Sequence, residues 1–113
     1  MSAQSNEVQQ RLNFIDRTIC HAAQACHLDT SIPAELKDFV RQLGLQANQA
    51  MQALNSRDET TVRKSVDALA RLSHQAKSAI GKDVNYDLKC AVILTHIELS
   101  ALKYRIDVDV APQ

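Results

Sequence analysis

Glycine, proline and aromatic residues are scarce in this chain of 113 residues, which has two Gly, two Pro and no Trp. Gly and Pro are the residues that interrupt helices most strongly, so their scarcity favours long helices. Because aromatic residues make up only 4% of the chain, a core has to be built from Leu, Val, Ile and Ala. These absences, together with a length that suits one domain, predict an all-α protein with a single hydrophobic core.

An excess of positive charge is also missing, since 13 Lys and Arg balance 13 Asp and Glu. Proteins that bind nucleic acid usually carry a basic stripe and stacking aromatic residues, so we expect no nucleic-acid partner. No uncharged apolar run is long enough to span a bilayer. The first seven residues are polar, unlike the start of a signal peptide. We therefore expect no membrane segment and a cytoplasmic location.

The chain has three cysteines, Cys20, Cys26 and Cys90, whereas a disulfide framework normally uses an even number. Reduced thiols in the cytosol are therefore expected. Metal ligands on one helix should lie three or four residues apart, but Cys20–Cys26 and Cys90–His96 are each six apart. A Gly-rich phosphate loop is missing too. These patterns predict no metal site and no cofactor.

Apolar residues recur at alternating steps of three and four along the chain, which is the pattern of amphipathic helices. Four helices are predicted, at about residues 6–27, 33–55, 57–80 and 85–106. Residues 107–113 are predicted to form a disordered tail. Because short connections make consecutive helices antiparallel neighbours, the sequence predicts one domain over residues 1–113, an antiparallel up-down-up-down four-helix bundle.

Local signals mark the ends of the third and fourth helices. Ser56 and Glu59, three residues apart, match a capping box and place the start of the third helix there. Gly81 suits its C-terminal end, because glycine readily adopts the left-handed conformation found there. Either Asp83 or Asn85 can cap the fourth helix.

One pattern on the third helix suggests chemistry. His74 lies on the side away from the apolar stripe, and Lys77 follows one turn later. The segment 71–81 resembles the phosphoacceptor segment of histidine-containing phosphotransfer domains, which are four-helix bundles of similar size. The resemblance implies that His74 accepts a phosphoryl group and that Lys77 steadies its oxygens. The sequence departs from the family at Ala76, where the family has Leu, and at Ser78, where it has Gly. The ordinary alternative is a solvated surface histidine.

The fourth helix differs from the others because it carries apolar residues on two opposite faces. Its core stripe is predicted to be Leu88, Val92, Thr95, Leu99, Leu102 and Ile106. The second face lies between Tyr86 and Tyr104. The residues on it that are predicted to contact a partner are Cys90, Ile93, Leu94, Ile97, Ala101 and Tyr104.

Soluble monomers rarely expose an apolar patch of that size, so something should cover the second face. Cover within the chain would come from helix 1 (Phe14, His21 and Ala25) and from helix 2 (Leu45). Cover between chains would come from a second copy related by a two-fold axis, with the charged residues beside the face pairing between subunits. We prefer the homodimer, and predict a non-catalytic interaction protein that can also accept another protein partner. Phosphotransfer at His74 is the alternative function.

Overall fold

The computed structural model describes residues 3–82 and 84–110, with side chains for residues 6–82 and 84–106. Four helices cover most of this range: α1 (Ala3–Leu28), α2 (Ala34–Asn55), α3 (Glu59–Ser78) and α4 (Tyr86–Val110). The predicted all-α four-helix bundle is confirmed. None of these helices, as far as the chain is described, is both long and apolar enough to cross a membrane.

Each helix packs on two neighbours, in the cyclic order α1, α2, α3, α4 and back to α1. Among the described residues, no Cα of α1 lies within 8 Å of a Cα of α3, and none of α2 lies within 8 Å of a Cα of α4. The connections span only residues 29–33, 56–58 and 79–85, which makes consecutive helices antiparallel. Helix α4 therefore occupies one corner of the bundle, with α1 on one side, α3 on the other and its remaining face directed outward.

The core is aliphatic and follows the predicted stripes. Cys26 is buried, and burial raises the pKa of its thiol. Apolar residues close to the ends of the bundle, such as Val8 and Ile106, are only half-buried. The largest fully buried side chains are Leu12, Ile15, Ile19, Leu36, Leu43, Leu69, Leu88, Leu99, Leu102, Val40, Val66 and Val92. Burial of each stabilises the fold by roughly 1.5–3 kcal/mol before the entropy of folding is subtracted.

The start of α3 differs from the predicted capping box of Ser56 and Glu59. Asp58 is the N-cap, because its carboxylate accepts hydrogen bonds from the backbone N–H of Thr61 at 3.1 Å and from the Thr61 hydroxyl at 2.6 Å. These hydrogen bonds lower the pKa of Asp58. Ser56 could not serve as the cap because it belongs to the end of α2, where its N–H bonds to a carbonyl of that helix.

Helix α2 ends in a Schellman motif that requires one left-handed residue, and this residue is Arg57, with φ of 58°. The Arg57 N–H donates to the Leu54 carbonyl at 3.1 Å, and the Asp58 N–H donates to the Ala53 carbonyl at 2.9 Å. A side chain in this conformation costs about 1–2 kcal/mol, which is why glycine is usual there. The sharp reversal from α2 to α3 is therefore made by a strained residue.

Helix α3 ends earlier than predicted. Its last residue is Ser78, and Ala79 is its C-cap in the right-handed conformation. Gly81 is not the left-handed C-terminal residue that was predicted, because its φ is not positive. The connection to α4 therefore spans seven residues, of which Asp83 lies outside the described range.

Helix α4 begins at a capping residue and extends further than the sequence predicted. The Asn85 side-chain oxygen accepts hydrogen bonds from the N–H groups of Asp87 at 2.8 Å and Leu88 at 3.3 Å, so Asn85 is the predicted cap. The helix continues to Val110, past the predicted end at residue 106. The backbone of residues 107–110 is thus helical, because Pro112 is the first residue after Asn85 that interrupts a helix. Residues 111–113 of the predicted tail lie outside the described residues.

Candidate functional site

The outer face of α4 is apolar and open to solvent. Five of the six predicted contact residues are exposed, namely Cys90, Leu94, Ile97, Ala101 and Tyr104, and the sixth, Ile93, is half-buried. Ile97 has 55% of its surface exposed and Tyr104 has 72%. Tyr86 extends the strip at the start of the helix. We call these seven residues the outer face of α4.

Helix α1 covers only one edge of the outer face. Phe14 and His21 line a groove of about 340 Å³ with Cys90 and Leu94. Phe14 nevertheless remains 44% exposed and Leu94 38% exposed, so the groove is open. Leu45 is 56% exposed and lies on α2, of which no described Cα comes within 8 Å of a Cα of α4, so it does not cover the outer face. Cover within the chain is therefore partial.

The charged residues beside the outer face connect α4 to its own bundle. On the α3 side, Lys103 Nζ lies 3.8 Å from Asp67 Oδ1. On the α1 side, the Arg105 guanidinium contacts both carboxylate oxygens of Glu7 at 3.1 Å. Pairing between subunits was expected for the flanking charges, but Lys103 and Arg105 are already paired within the chain. Because these ion pairs are exposed, they contribute little to the stability of the fold, and their main effect is to orient α4.

A second feature lies between α3 and α4, where two histidines meet. The ring centroids of His74 and His96 are 5.6 Å apart and the rings are tilted by 45°. His74 is exposed, as the sequence predicted, and His96 is half-buried. The sequence did not reveal this pairing, because helical spacing does not determine how far one antiparallel helix slides along the other.

The tautomer of His96 is linked to its hydrogen bond with the buried Ser73. The Ser73 hydroxyl donates to the Ala70 carbonyl at 2.8 Å, and Ser73 Oγ lies 3.2 Å from His96 Nδ1. A hydroxyl has a single hydrogen, so while Ser73 donates to the Ala70 carbonyl its oxygen accepts from His96 Nδ1–H, which selects the tautomer protonated on Nδ1. In neutral His96 the lone pair is therefore on Nε2, the nitrogen farther from Ser73.

Several groups keep His96 neutral. Burial lowers the pKa of His96, and the nearby Lys77 and His74 lower it further. His96 is therefore uncharged at neutral pH, with an available lone pair. We call His74, His96, Ser73 and Lys77 the histidine cluster. Its nitrogen lone pairs can act as metal ligands or as nucleophiles.

Comparison of the chain with family models, with curated proteins and with solved structures gave no match. In the described part of the chain, no three His, Cys, Asp or Glu side chains are gathered so that they could hold a metal ion. Two features of the described residues are thus not required for folding of the bundle. They are the outer face of α4 and the histidine cluster.

Proposed function

We propose that this protein is a non-catalytic helical-bundle interaction protein that self-associates through the outer face of α4. The observation that carries the proposal is the exposed strip of Cys90, Ile97 and Tyr104, spaced by seven residues, with Leu94 and Ala101 at the same spacing. A seven-residue apolar repeat is the pattern of a helix that pairs with another helix. Water contact along such a strip is unfavourable, and pairing removes it.

The charges beside the strip favour a second copy in parallel orientation. On α4 itself, the edge toward α3 carries Lys89 and the edge toward α1 carries Asp87 and Glu98; Lys77 of α3 and Arg17 of α1 lie beside these edges. A two-fold axis parallel to α4 brings the α3 side of one subunit opposite the α1 side of the other. Lys89 then lies opposite Asp87 of the partner subunit. An axis perpendicular to α4 would bring like sides together, which is electrostatically worse.

Replacement of Ile97 by glutamate tests this interface. We expect Ile97→Glu to weaken self-association by roughly 30-fold or more, because pairing would bury an unpaired carboxylate. Leu45→Glu is the matched control, since Leu45 is 56% exposed but lies on α2. Sedimentation equilibrium measures both dissociation constants. Equal constants for the two variants and the unmodified chain would contradict the proposal.

Cys90 reports the orientation of the two subunits. A parallel two-fold pair places Cys90 opposite Cys90 of the partner subunit. An antiparallel pair centred on Ile97 separates the two thiols by about 21 Å along the helix, beyond the reach of a disulfide. With Cys20→Ser in the background, we expect diamide, which takes up the two electrons and two protons, to link the subunits. Cys90→Ser, which retains Cys20, is the control. A persistent dimer without this link would disprove the parallel orientation only.

The same proposal assigns the protein to the cytosol. Cys20 and Cys90 are free and exposed, and Cys26 is free and buried. Exposed free thiols suit a reducing compartment, because oxidising compartments convert them to disulfides.

Phosphotransfer is a second candidate, favoured by the exposure of both His74 and Lys77 on successive turns of α3. In this reaction a phosphoryl group would move from an aspartyl phosphate of a receiver domain to an imidazole nitrogen of His74, which regenerates the carboxylate. Helix α3 ends at Ser78, one turn later, whereas the helix of the phosphotransfer family continues. Phosphorylated receiver domains should label the unmodified chain and His27→Gln but not His74→Gln. Absence of label on the unmodified chain would argue against this candidate.

A further inference from the structure

We propose that His74 and His96 form a binding site for one divalent cation of the class that prefers imidazole ligands, Ni²⁺, Cu²⁺ or Zn²⁺. The site bridges α3 and α4, with water in the remaining coordination positions. It differs from a structural metal site, which encloses the ion with four protein ligands. It therefore fits the finding that no larger group of ligands is gathered among the described residues.

The separation of the two rings suits a shared ion. Metal–nitrogen distances to histidine are about 2.0–2.1 Å, so two imidazoles bound to one ion hold their ring centres roughly 5–6 Å apart. The His74 and His96 centroids are 5.6 Å apart. Because the rings come from two packed helices, the fold sets their separation before an ion binds, and less conformational entropy is lost on binding.

The hydrogen bonds around His96 are those of a metal ligand. Histidine ligands usually donate their second ring N–H to an oxygen of the protein, which fixes the ring and leaves the other nitrogen for the metal. Ser73 Oγ lies 3.2 Å from His96 Nδ1 and donates to the Ala70 carbonyl, an arrangement that matches the tautomer in which His96 Nδ1–H donates to Ser73. The lone pair of His96 is thus on Nε2. His74 is exposed, so its ring can turn to present either nitrogen.

The charged residues around His74 and His96 allow a test of whether the bound ion is a cation or an anion. Lys77, on the turn after His74, is close enough to lower the pKa of His96 and therefore disfavours a cation. Lys103, two turns along α4 from His96, is paired with Asp67 of α3. Lys77 is exposed and flexible, so it can move away from a bound cation. Removal of its charge should strengthen cation binding, whereas it would weaken binding of an anion.

Calorimetric titration with Ni²⁺ tests the site, in a Cys20→Ser, Cys90→Ser background that removes the exposed thiols. We expect one Ni²⁺ per chain and a loss of affinity of roughly a hundredfold in His74→Gln, because two linked ligands bind far more tightly than one. His96→Gln should lose affinity as well. His21→Gln and His27→Gln, which change the two histidines of α1, are the matched controls and should bind Ni²⁺ as the background does. Unchanged binding by His74→Gln would overturn the proposal. Because His74 is exposed, we expect this variant to fold as the background protein does.

Lys77→Gln in the same background distinguishes a cation site from an anion site. We expect a several-fold increase in Ni²⁺ affinity, and decreased affinity would overturn the proposal. Ni²⁺ should also raise the thermal midpoint of the background protein, because an ion that links α3 to α4 binds only the folded state. The midpoint of His74→Gln should rise less, and an equal rise in the two proteins would count against a bridging ion.

Discussion

Helices α3 and α4 are antiparallel neighbours with similar inner faces and different outer faces. Leu69 of α3 and Leu99 of α4 are both fully buried in the same core. The outside of α3 exposes Asp67 and Arg71, whereas the outside of α4 exposes Ile97 and other apolar residues. The comparison of α3 with α4 indicates that one apolar stripe per helix is sufficient for packing of this bundle.

The second apolar face of α4 is therefore not explained by folding of the single chain. A polar outer face, as on α3, would serve the bundle equally well and would be better solvated. Because α4 lies at a corner and α1 covers only one edge, the rest of its outer face is available to a partner. Substitutions on the two faces and on the two helices should therefore differ in the size of their effects.

Truncation of the inner stripes should have the largest effect. We expect Leu69→Ala and Leu99→Ala each to lower the free energy of unfolding by about 2–5 kcal/mol, because each leaves a cavity in a core that cannot fully collapse. Ile97→Ala, measured at concentrations too low for self-association, should change the free energy of unfolding by less than about 1 kcal/mol. Urea denaturation provides the values. If Ile97→Ala proved as costly as Leu99→Ala, the outer face would belong to the core of the monomer.

Loss of the helix caps should have a smaller effect. We expect Asn85→Ala to lower the free energy of unfolding by about 1 kcal/mol, because two N–H groups at the start of α4 lose their acceptor. Asp58→Ala should destabilise the start of α3 for the same reason. Ser56→Ala is the control, since Ser56 is not the cap of α3. A larger loss from Ser56→Ala than from Asp58→Ala would restore the capping box that the sequence indicated.

Relief of the strain before α3 should stabilise the protein. We expect Arg57→Gly to raise the free energy of unfolding by about 0.5–1 kcal/mol, since the left-handed strain exceeds the added chain entropy of glycine. Arg57→Ala should give no such gain, because alanine also carries a Cβ atom. Thermal and urea denaturation would detect the difference. A loss of stability in Arg57→Gly would mean that the Arg57 side chain contributes contacts that outweigh the strain.

The contact between α3 and α4 should weaken slightly in acid. The pKa of His96 in the folded state lies below its unfolded value near 6.5, because burial lowers it and the nearby Lys77 and His74 lower it further. The unfolded chain therefore binds the proton first. Stability is retained above about pH 6.5 and falls as the pH decreases toward the folded pKa. Lys89 and Lys103 on α4 have the same sign of charge, and Lys103 is paired with Asp67.

Denaturation midpoints at neutral and acid pH, measured with EDTA present, would test this dependence. His96→Gln should show a smaller decrease in acid than the unmodified chain. His27→Gln, which changes an exposed histidine of α1, should show the same decrease as the unmodified chain. An unchanged decrease in His96→Gln would assign the acid effect to other groups.

Much of this architecture follows from the spacing of apolar residues. The stripe from Leu88 to Leu102 predicted the buried side of α4, and the remaining apolar residues predicted its exposed side. Short connections predicted antiparallel neighbours. Helical periodicity and loop length are local properties, so they can be predicted directly from the sequence. The assembly formed by the outer face stays a prediction, because one chain does not contain its partner.

Other features depend on relations that the spacing does not express. The meeting of His74 and His96 depends on how far α4 slides along α3, which is determined by packing of the whole core. Arg57 was not recognised as a left-handed residue, because Arg has no preference for that conformation and the tight reversal imposes it. The extension of α4 to Val110 differs from the predicted tail, because the alternating Asp and Val of this segment lack the spacing of an amphipathic helix.

The most direct test of the central claim is the mass of the unmodified protein in solution. Sedimentation equilibrium from low to high micromolar concentration, with a reducing agent present, would give this mass. The chain has a mass of 12.5 kDa, and we expect the measured mass to rise with concentration to twice that value. A mass of one chain at every concentration would contradict self-association through the outer face of α4.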